Sequence, residues 1–145
     1  MLKNFKKENI GPCSYDLRLK EIFKPKKIVI VDLSKDKITK FTKLKLPYIL
    51  KPGEFLLGKT FEEFDTPLNI MSILKTKSTS FRIGLKILCA VNDPGYKGEI
   101  VFGIHNISNN KIKIFKGMSL LQAVFIDLKG SSVPIQTKYM GGNLL

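Results

Sequence analysis

The sequence contains few of the residues from which zinc centres and serine-hydrolase sites are built. Its two cysteines, Cys13 and Cys89, show neither CxxC spacing nor a nearby histidine ligand, so a zinc-binding motif is absent. The single histidine, His105, is flanked by apolar residues typical of a strand, which argues against a Ser-His-Asp triad. HExxH and helix-borne phosphate-loop motifs are also absent. Any catalysis must therefore use carboxylates, hydroxyls and lysines.

Long hydrophobic runs are also missing. The longest, such as "IVIV" and "LLQAVFI", are far too short to span a bilayer as a helix. The basic N-terminal stretch "MLKNFKKEN" is not followed by the apolar segment of a secretory signal. We therefore expect a cytoplasmic protein without membrane contact, whose two cysteines are reduced thiols.

Acidic residues and arginines are scarce. The chain has 25 basic and 12 acidic residues, a net charge of +13, which invites a nucleic-acid interpretation. However, all the basic residues except Arg18 and Arg82 are lysines, whereas bidentate recognition of guanine or phosphate favours arginine. A nucleic-acid partner is therefore not expected. The charge fits a lysine-rich solvated surface, or an electropositive opening that attracts a small polyanion.

The chain reads as one domain over residues 1–145, built from short strands. Turn signals recur about every 8 to 12 residues, which predicts an all-β sandwich or barrel. "KIVIVDL" reads as a buried strand ended by a turn at "SKDK", and "KITKFTKLKLPYIL" as one half-buried strand. Only "STSFRIG" could hold a helical turn. The tail, about 129–145, is polar and Gly-rich, and we predict that it is mobile.

The stretch "AVNDPGYKGEIVFGIHN", residues 90–106, contains the most informative turn. In "DPGY", Pro94 fixes φ near −65° and Gly95 is free to adopt positive φ, as a type II turn requires. Asp93 could simply open this turn between two strands. Alternatively, Asp93 and Tyr96 could be a general base and an aromatic platform held on a rigid hairpin.

Three further stretches carry reactive or ligand-binding groups. "TKSTS", residues 76–80, places a lysine directly before three successive hydroxyls, which suits either phosphate oxygens or the cap of a short helix. Asp16 and Arg18 lie two apart on one strand face, where a buried ion pair is the favoured interpretation. Gln122 lies inside the apolar strand "LLQAVF" and needs a hydrogen-bonding partner from the backbone or from a ligand and its water.

Five segments together resemble the dUTPase/dCTP deaminase superfamily, most closely its archaeal and viral branch of deaminase-like dUTPases. They are "IGPCSYDLRL", "LKPGEFLLGKT", "KTKSTSFRIGL", "AVNDPGYKGEI" and "GMSLLQAVF", in family order across residues 10–126. The resemblance implies a distorted jelly-roll-like β-barrel. It also implies a homotrimer with active sites at the subunit interfaces.

The resemblance assigns the "DPGY" turn to the nucleoside. Asp93 would hold and activate the water that attacks the α-phosphorus of dUTP. Tyr96 would lie under the deoxyribose and exclude a 2′-hydroxyl. The hairpin backbone of residues 91–101, including Gly95, would read the uracil edge. A Mg²⁺ cofactor would be carried by the triphosphate rather than held by direct protein ligands.

The resemblance assigns the phosphates to other segments. Lys77, Ser78 and Thr79 stand where the family usually has Arg-Ser-Ser, and the lysine lacks the bidentate fork of arginine. Arg82 matches an arginine that lies near the pyrimidine in deaminases and that some dUTPases share.

Four more residues match by position in the motifs. Gln122 matches a glutamine that contacts the phosphates and the catalytic water. Asp16 matches an aspartate that supports the site indirectly, in part through water around magnesium. Lys138 and Tyr139 lie in "KYMGGNLL", which is similar to the "KYxG" tails of the deaminase-like branch and could close over the phosphates.

One departure from the family separates the possible activities. Deaminases use a glutamate as proton shuttle in an "IVLEF"-like strand, and this chain has "IVFGI", which puts Gly103 at that position. Glycine cannot transfer a proton, so the sequence favours a dUTP diphosphatase over a dCTP deaminase, alone or bifunctional. A non-catalytic nucleotide-sensing or protein-binding member is the alternative from a different class, because Lys77 replaces arginine and the tail lacks the Gly-rich phosphate-covering motif of trimeric dUTPases.

Overall fold

A computed structural model describes residues 1–27, 32, 34, 40–134 and 137–144. Over these residues the chain forms eleven strands, one short α-helix and a 3₁₀ turn at Lys7–Asn9. The elements are β1 Leu2–Lys3, β2 Tyr15–Pro25, β3 Phe41–Leu44, β4 Tyr48–Leu50, β5 Phe55–Asp65, β6 Ile70–Thr76, α1 Ser78–Arg82, β7 Leu85–Leu88, β8 Val91–Asn92, β9 Lys97–Asn106, β10 Ile112–Ile114 and β11 Ser119–Asp127. The all-β prediction is confirmed, and the single helical turn falls in "STSFRIG" as predicted.

Nine of these strands form one sheet that curls into a half-barrel. Its strand order is β7-β9-β5-β2-β11-β6-β8, with β1 added to β5 and β3 added to β2. Strands β4 and β10 form a separate pair, and the strand pairings are antiparallel. The order brings β2 and β11, from opposite ends of the chain, into contact at the centre of the sheet. The described helices include none long and apolar enough to cross a membrane.

The core lies inside the curl of this sheet. Along β5, buried and partly exposed residues alternate at period two, as a strand with one buried face requires. Leu17, Leu19, Leu56, Ile104 and Leu120 are completely inaccessible to solvent. Each such side chain contributes about 1.5–3 kcal/mol through removal of apolar surface from water. This core supports the strands that carry the polar side chains described below.

The predicted strand "KITKFTKLKLPYIL" is interrupted. Its described part forms β3, which pairs with β2, and β4, which pairs with β10. Pro47 lies just before β4 and has no N–H to donate to a ladder, so one continuous strand does not form through it. The predicted strand "KIVIVDL" and its turn at "SKDK" lie outside the described residues, apart from Lys27, Asp32 and Ser34.

The prediction of an ion pair between Asp16 and Arg18 is wrong. The carboxylate of Glu62, fully buried beside a β-bulge in β5, accepts hydrogen bonds from the Arg18 backbone N–H (2.9 Å) and Nε (2.7 Å). The hydroxyl of Tyr15 donates to the same carboxylate at 3.2 Å. Asp16 instead pairs with Lys77. Residues two apart on a strand are about 7 Å apart, and each of these two side chains has a closer partner on another segment.

Candidate functional site

The "DPGY" segment forms the predicted turn. The backbone N–H of Tyr96 donates to the carbonyl of Asp93 at 3.2 Å, and Gly95 has a φ of 80°. The predicted hairpin of residues 91–101 is wrong, however, because β8 pairs with β6 while β9 pairs with β5 and β7. The turn thus connects strands from opposite ends of the sheet order. Pro94 and Gly95 at its tip are partly buried, whereas Asp93 is exposed.

A cavity of about 390 Å³ opens beside this turn. It is lined by Leu74, Ala90, Val91, Asn92, Asp93, Tyr96, Ile100, Val101, Thr137, Tyr139, Asn143 and Leu144. Most of these side chains are apolar, and Asp93 contributes the only carboxylate among them. The Tyr96 hydroxyl donates to the Glu99 carbonyl at 2.7 Å, and burial raises the pKa of Tyr96. The arrangement offers an apolar surface for a planar group beside an acidic side chain.

The described part of the tail, residues 137–144, packs against the start of β9. The backbone N–H of Gly141 donates to the Lys97 carbonyl at 2.7 Å, and the Tyr139 carbonyl lies 3.5 Å from the Tyr96 hydroxyl. Tyr139 therefore reaches the cavity at Asp93, and the prediction that Lys138 and Tyr139 close over the phosphates stays a prediction. Lys138 is exposed, and its ammonium group lies 5.7 Å from the centre of the Tyr139 ring.

A second polar cluster forms where β2, β11 and the end of β6 meet. Gln122 on β11 lies opposite Asp16 on β2, and the Lys77 ammonium donates to the Asp16 carboxylate. Both charged side chains are about three-quarters covered or more, at 21% and 28% exposure. The Ser14 hydroxyl lies 3.4 Å from the Gln122 Oε1 atom. The structure therefore brings together three residues, Asp16, Lys77 and Gln122, that come from distant parts of the sequence.

Helix α1 presents two hydroxyls beside this cluster. Ser78 and Thr79 are exposed, whereas the Ser80 hydroxyl is buried and donates to the Leu120 carbonyl at 2.9 Å. The alternative that these hydroxyls cap the helix is wrong, because the N-cap position is occupied by Lys77, whose side chain makes no capping hydrogen bond. Ser78 and Thr79 are free to meet a ligand from solvent.

Arg82 is separate from both clusters within one chain. It is exposed at the end of α1, with its guanidinium 5.9 Å from the Phe81 ring. It borders an open groove that it shares with Gly84 and Ile107, among others. The prediction that Arg82 contributes to the nucleotide site therefore stays a prediction.

Asp93 and Lys77 lie at opposite ends of β6. The register pairs Ser72 with Asn92, so the Asp93 turn lies near the beginning of β6, whereas Lys77 follows its last residue. Five residues of extended strand span about 16 Å. One chain therefore does not bring the Asp93 carboxylate to the Lys77 cluster.

Gly103 is buried on β9 between the neighbouring strands β5 and β7. A Cβ atom at this position would lie 2.8 Å from the Phe55 ring and 3.0 Å from a methyl carbon of Leu88. Side-chain atoms of Phe55 and Leu88, two residues that are themselves exposed, thus lie against the position at which a side chain would begin. At this point of the strand the chain has no group that could carry a proton.

The dCTP deaminase-like family model matches residues 1–128. The chain belongs to the dCTP deaminase-like family. A dCTP deaminase, dUMP-forming, from Leifsonia xyli is 32% identical, over 90% of this chain and 70% of its own length.

Solved structures agree on the fold. The 2′-deoxycytidine 5′-triphosphate deaminase of Agrobacterium tumefaciens gives a TM-score of 0.67 at 18% identity, over 86% of this chain and 43% of that one. The native dUTPase of EIAV gives 0.58 at 18% identity, over 95% of this chain and 98% of that one. At these identities the likeness shows a dUTPase-like fold, as predicted.

The donor groups of this family member suit a magnesium ion carried by a nucleotide. No three His, Cys, Asp or Glu side chains come together in the described part of the chain. Asp16 is partly exposed beside Gln122, and a single carboxylate of this kind suits the water shell of such an ion. Mg²⁺ commonly keeps several waters and binds through substrate phosphates with one or two carboxylates.

Two buried residues beside the Asp93 turn were not identified from the sequence. Asn92 donates through Nδ2 to the hydroxyl of Thr66 at 3.0 Å, and the side chains of both residues are buried. Asn92 carries a signal, since it is a polar residue next to a turn in an otherwise apolar strand. Thr66 carries none, because "DTPLN" reads only as a turn.

Proposed function

We propose that this family member is a dUTP diphosphatase that hydrolyses dUTP to dUMP and pyrophosphate. The observation that carries the proposal is the combination of an exposed Asp93 at the edge of an apolar cavity with a glycine at position 103 that Phe55 and Leu88 approach closely. The Asp93 carboxylate provides a base for a water molecule. Gly103 lacks the proton-carrying side chain that a deaminase needs at that place.

In the proposed reaction the Asp93 carboxylate accepts a proton from a water molecule. The water oxygen forms a bond to the α-phosphorus, and the bond from that phosphorus to the bridging oxygen breaks. Pyrophosphate leaves with the electron pair of that bond. Tyr96 lies in the same cavity wall as Asp93 and supplies the surface on which the deoxyribose rests.

The phosphates would be bound by the second cluster. Lys77 supplies a positive charge, Ser78 and Thr79 supply exposed hydroxyls, and Gln122 supplies an amide beside them. We include Arg82 on the strength of its motif position. Because Lys77 pairs with Asp16, the phosphates would share its ammonium with that carboxylate. Bound Mg²⁺ would neutralise charge on the triphosphate, with Asp16 contacting its water shell.

We further propose a homotrimer in which each site takes Asp93 from one subunit and Lys77 from another. The separation of the two clusters along β6 supports this arrangement, because neither is complete in a single chain. In a closed ring of three subunits, every interface joins the same two different surface patches. Three equivalent sites would result.

The second candidate is a bifunctional dCTP deaminase. The names of relatives such as the Leifsonia protein, "dCTP deaminase, dUMP-forming", favour it. That activity ends in the same product and would use the same nucleotide cavity. It requires a proton-transferring group other than Gly103.

The test of the proposal is Asp93→Asn, which keeps the shape of the side chain but removes the base. We expect turnover of dUTP, measured as pyrophosphate release, to fall by about 10² or more, the scale of lost general-base assistance. Nucleotide binding should remain. Asp127→Asn is the matched control, since Asp127 is also exposed, at the C-terminal end of β11, where it accepts a hydrogen bond from Asn69. An Asp93→Asn variant as active as the control would refute the role of Asp93.

A further inference from the structure

Thr66 forms hydrogen bonds with residues of the turn both before and after Asp93. The Gly95 N–H donates to the Thr66 carbonyl at 3.0 Å, and the Thr66 N–H donates to the Tyr96 carbonyl at 2.9 Å. The third bond joins the side chains, from Asn92 Nδ2 to Thr66 Oγ1 at 3.0 Å. Thr66 thus contacts residues 92, 95 and 96, which surround Asp93.

The side-chain bond is protected from water. Thr66 is 3% exposed and Asn92 is 4% exposed. A hydrogen bond in such surroundings is not exchanged for one with solvent, and loss of one partner leaves the other buried and unsatisfied. This bond therefore ties the residue before Asp93 to Thr66, while the two backbone bonds tie Gly95 and Tyr96 to the same residue.

The Asp93 side chain has no comparable support of its own. Its carboxylate makes no hydrogen bond or ion pair with any other residue that the structure describes. Its position is consequently set by the backbone of the turn. Whatever fixes that backbone also fixes where the carboxylate meets a water molecule.

We infer that Thr66 and Asn92 are positioning residues for the Asp93 carboxylate. The inference rests on the proposed function, because it concerns the group that acts as base there. Neither residue is required to touch the reacting atoms. Together they hold the turn so that the carboxylate, which has no hydrogen-bond or ion-pair partner among the described residues, stays directed at the substrate.

The test compares Thr66→Val with Thr66→Ser. Valine keeps the shape of threonine but removes the hydroxyl, so Asn92 loses its partner, whereas serine keeps the hydroxyl. We expect Thr66→Val to lower kcat for dUTP about tenfold, since a small misplacement of a reacting group has effects of this order or larger. The Kd of the non-hydrolysable analogue α,β-imido-dUTP should change less. Thr66→Ser should remain near the wild type.

A core variant controls for lost stability. Ile114 is completely buried in β10, and Ile114→Val lowers stability without touching the turn. If the fall in kcat is proportional to the fall in melting temperature in both Thr66→Val and Ile114→Val, Thr66 acts only through stability and the inference is overturned. A fall in kcat confined to Thr66→Val, with recovery in Thr66→Ser, supports it.

Amide hydrogen exchange in the turn separates this inference from the proposed function. If the wild-type protein does not hydrolyse dUTP, the proposed function fails. The exchange result then still decides whether Thr66 and Asn92 hold the turn. Faster exchange of the Gly95 and Tyr96 amides in Thr66→Val, but not in Thr66→Ser, would support the positioning role. Unchanged exchange at these two amides would overturn it.

Discussion

Substitution of Gly98 by alanine should release the tail from the start of β9. Gly98 has a φ of 132°, and a Cβ atom there would lie 2.5 Å from the Gly141 Cα atom. The overlap is with backbone atoms, so no side-chain rotation relieves it. Either β9 or the tail has to move, and the tail is held by fewer contacts.

The expected free-energy cost of Gly98→Ala has two parts. Alanine in a glycine-only region of φ costs of order 1–3 kcal/mol. Displacement of the tail also removes the hydrogen bond from Gly141 to the Lys97 carbonyl (2.7 Å), worth about 0.5–1.5 kcal/mol net. Because about 1.4 kcal/mol corresponds to a factor of ten, we expect the Gly141 amide to exchange at least about tenfold faster in Gly98→Ala.

Hydrogen–deuterium exchange of the peptide that covers residues 137–144 measures this effect. Gly117→Ala is the matched control, because Gly117 also has positive φ, 86°, but its missing Cβ would meet no atom within 4 Å. That variant should lose some stability and leave the tail protected. Unchanged protection of the tail in Gly98→Ala would show that residues 137–144 do not depend on this contact, and the reasoning would fail.

The remaining predictions concern the sugar and the shared site. Tyr96→Ala should hydrolyse UTP more readily relative to dUTP, because the ring would no longer exclude a 2′-hydroxyl; unchanged discrimination between the two nucleotides in steady-state assays would count against this role. Asp93→Asn and Lys77→Ala, each inactive alone, should regain about a quarter of wild-type activity when co-expressed in equal amounts, since about one site in four then combines both intact residues. No recovery in purified mixed oligomers would place both residues in a site formed within one chain.

Local sequence patterns predicted much of the fold. The "DPGY" turn, the helical turn in "STSFRIG" and most strands depend on Pro, Gly and the alternation of neighbouring residues, which can be read directly. Interactions between distant segments could not be read this way. Asp16 is 61 residues from its partner Lys77, and Arg18 is 44 residues from Glu62. The same reason explains why the sheet partners of β8 and β9 were predicted wrongly.

The candidate site was predicted in its residue types more than in its arrangement. Motif positions identified Asp93, Tyr96 and Tyr139, and the structure places all three at one cavity. Their separation from Lys77 depends on the register of β6 with β8. The proposed role of Thr66 depends on hydrogen bonds from its side chain and its backbone to a turn some 26 residues further along the chain, which its local sequence does not indicate. The close approach to Gly103 likewise depends on the packing of Phe55 and Leu88.

Product analysis tests the central claim most directly. The purified protein is incubated with Mg²⁺ and either dUTP or dCTP, and nucleotides and pyrophosphate are resolved by ion-exchange chromatography. We expect dUMP and pyrophosphate from dUTP, and no uracil nucleotide from dCTP. Conversion of dCTP to a uracil nucleotide would contradict the argument from Gly103, and an absence of product from both nucleotides would contradict the assignment of Asp93 as a catalytic base.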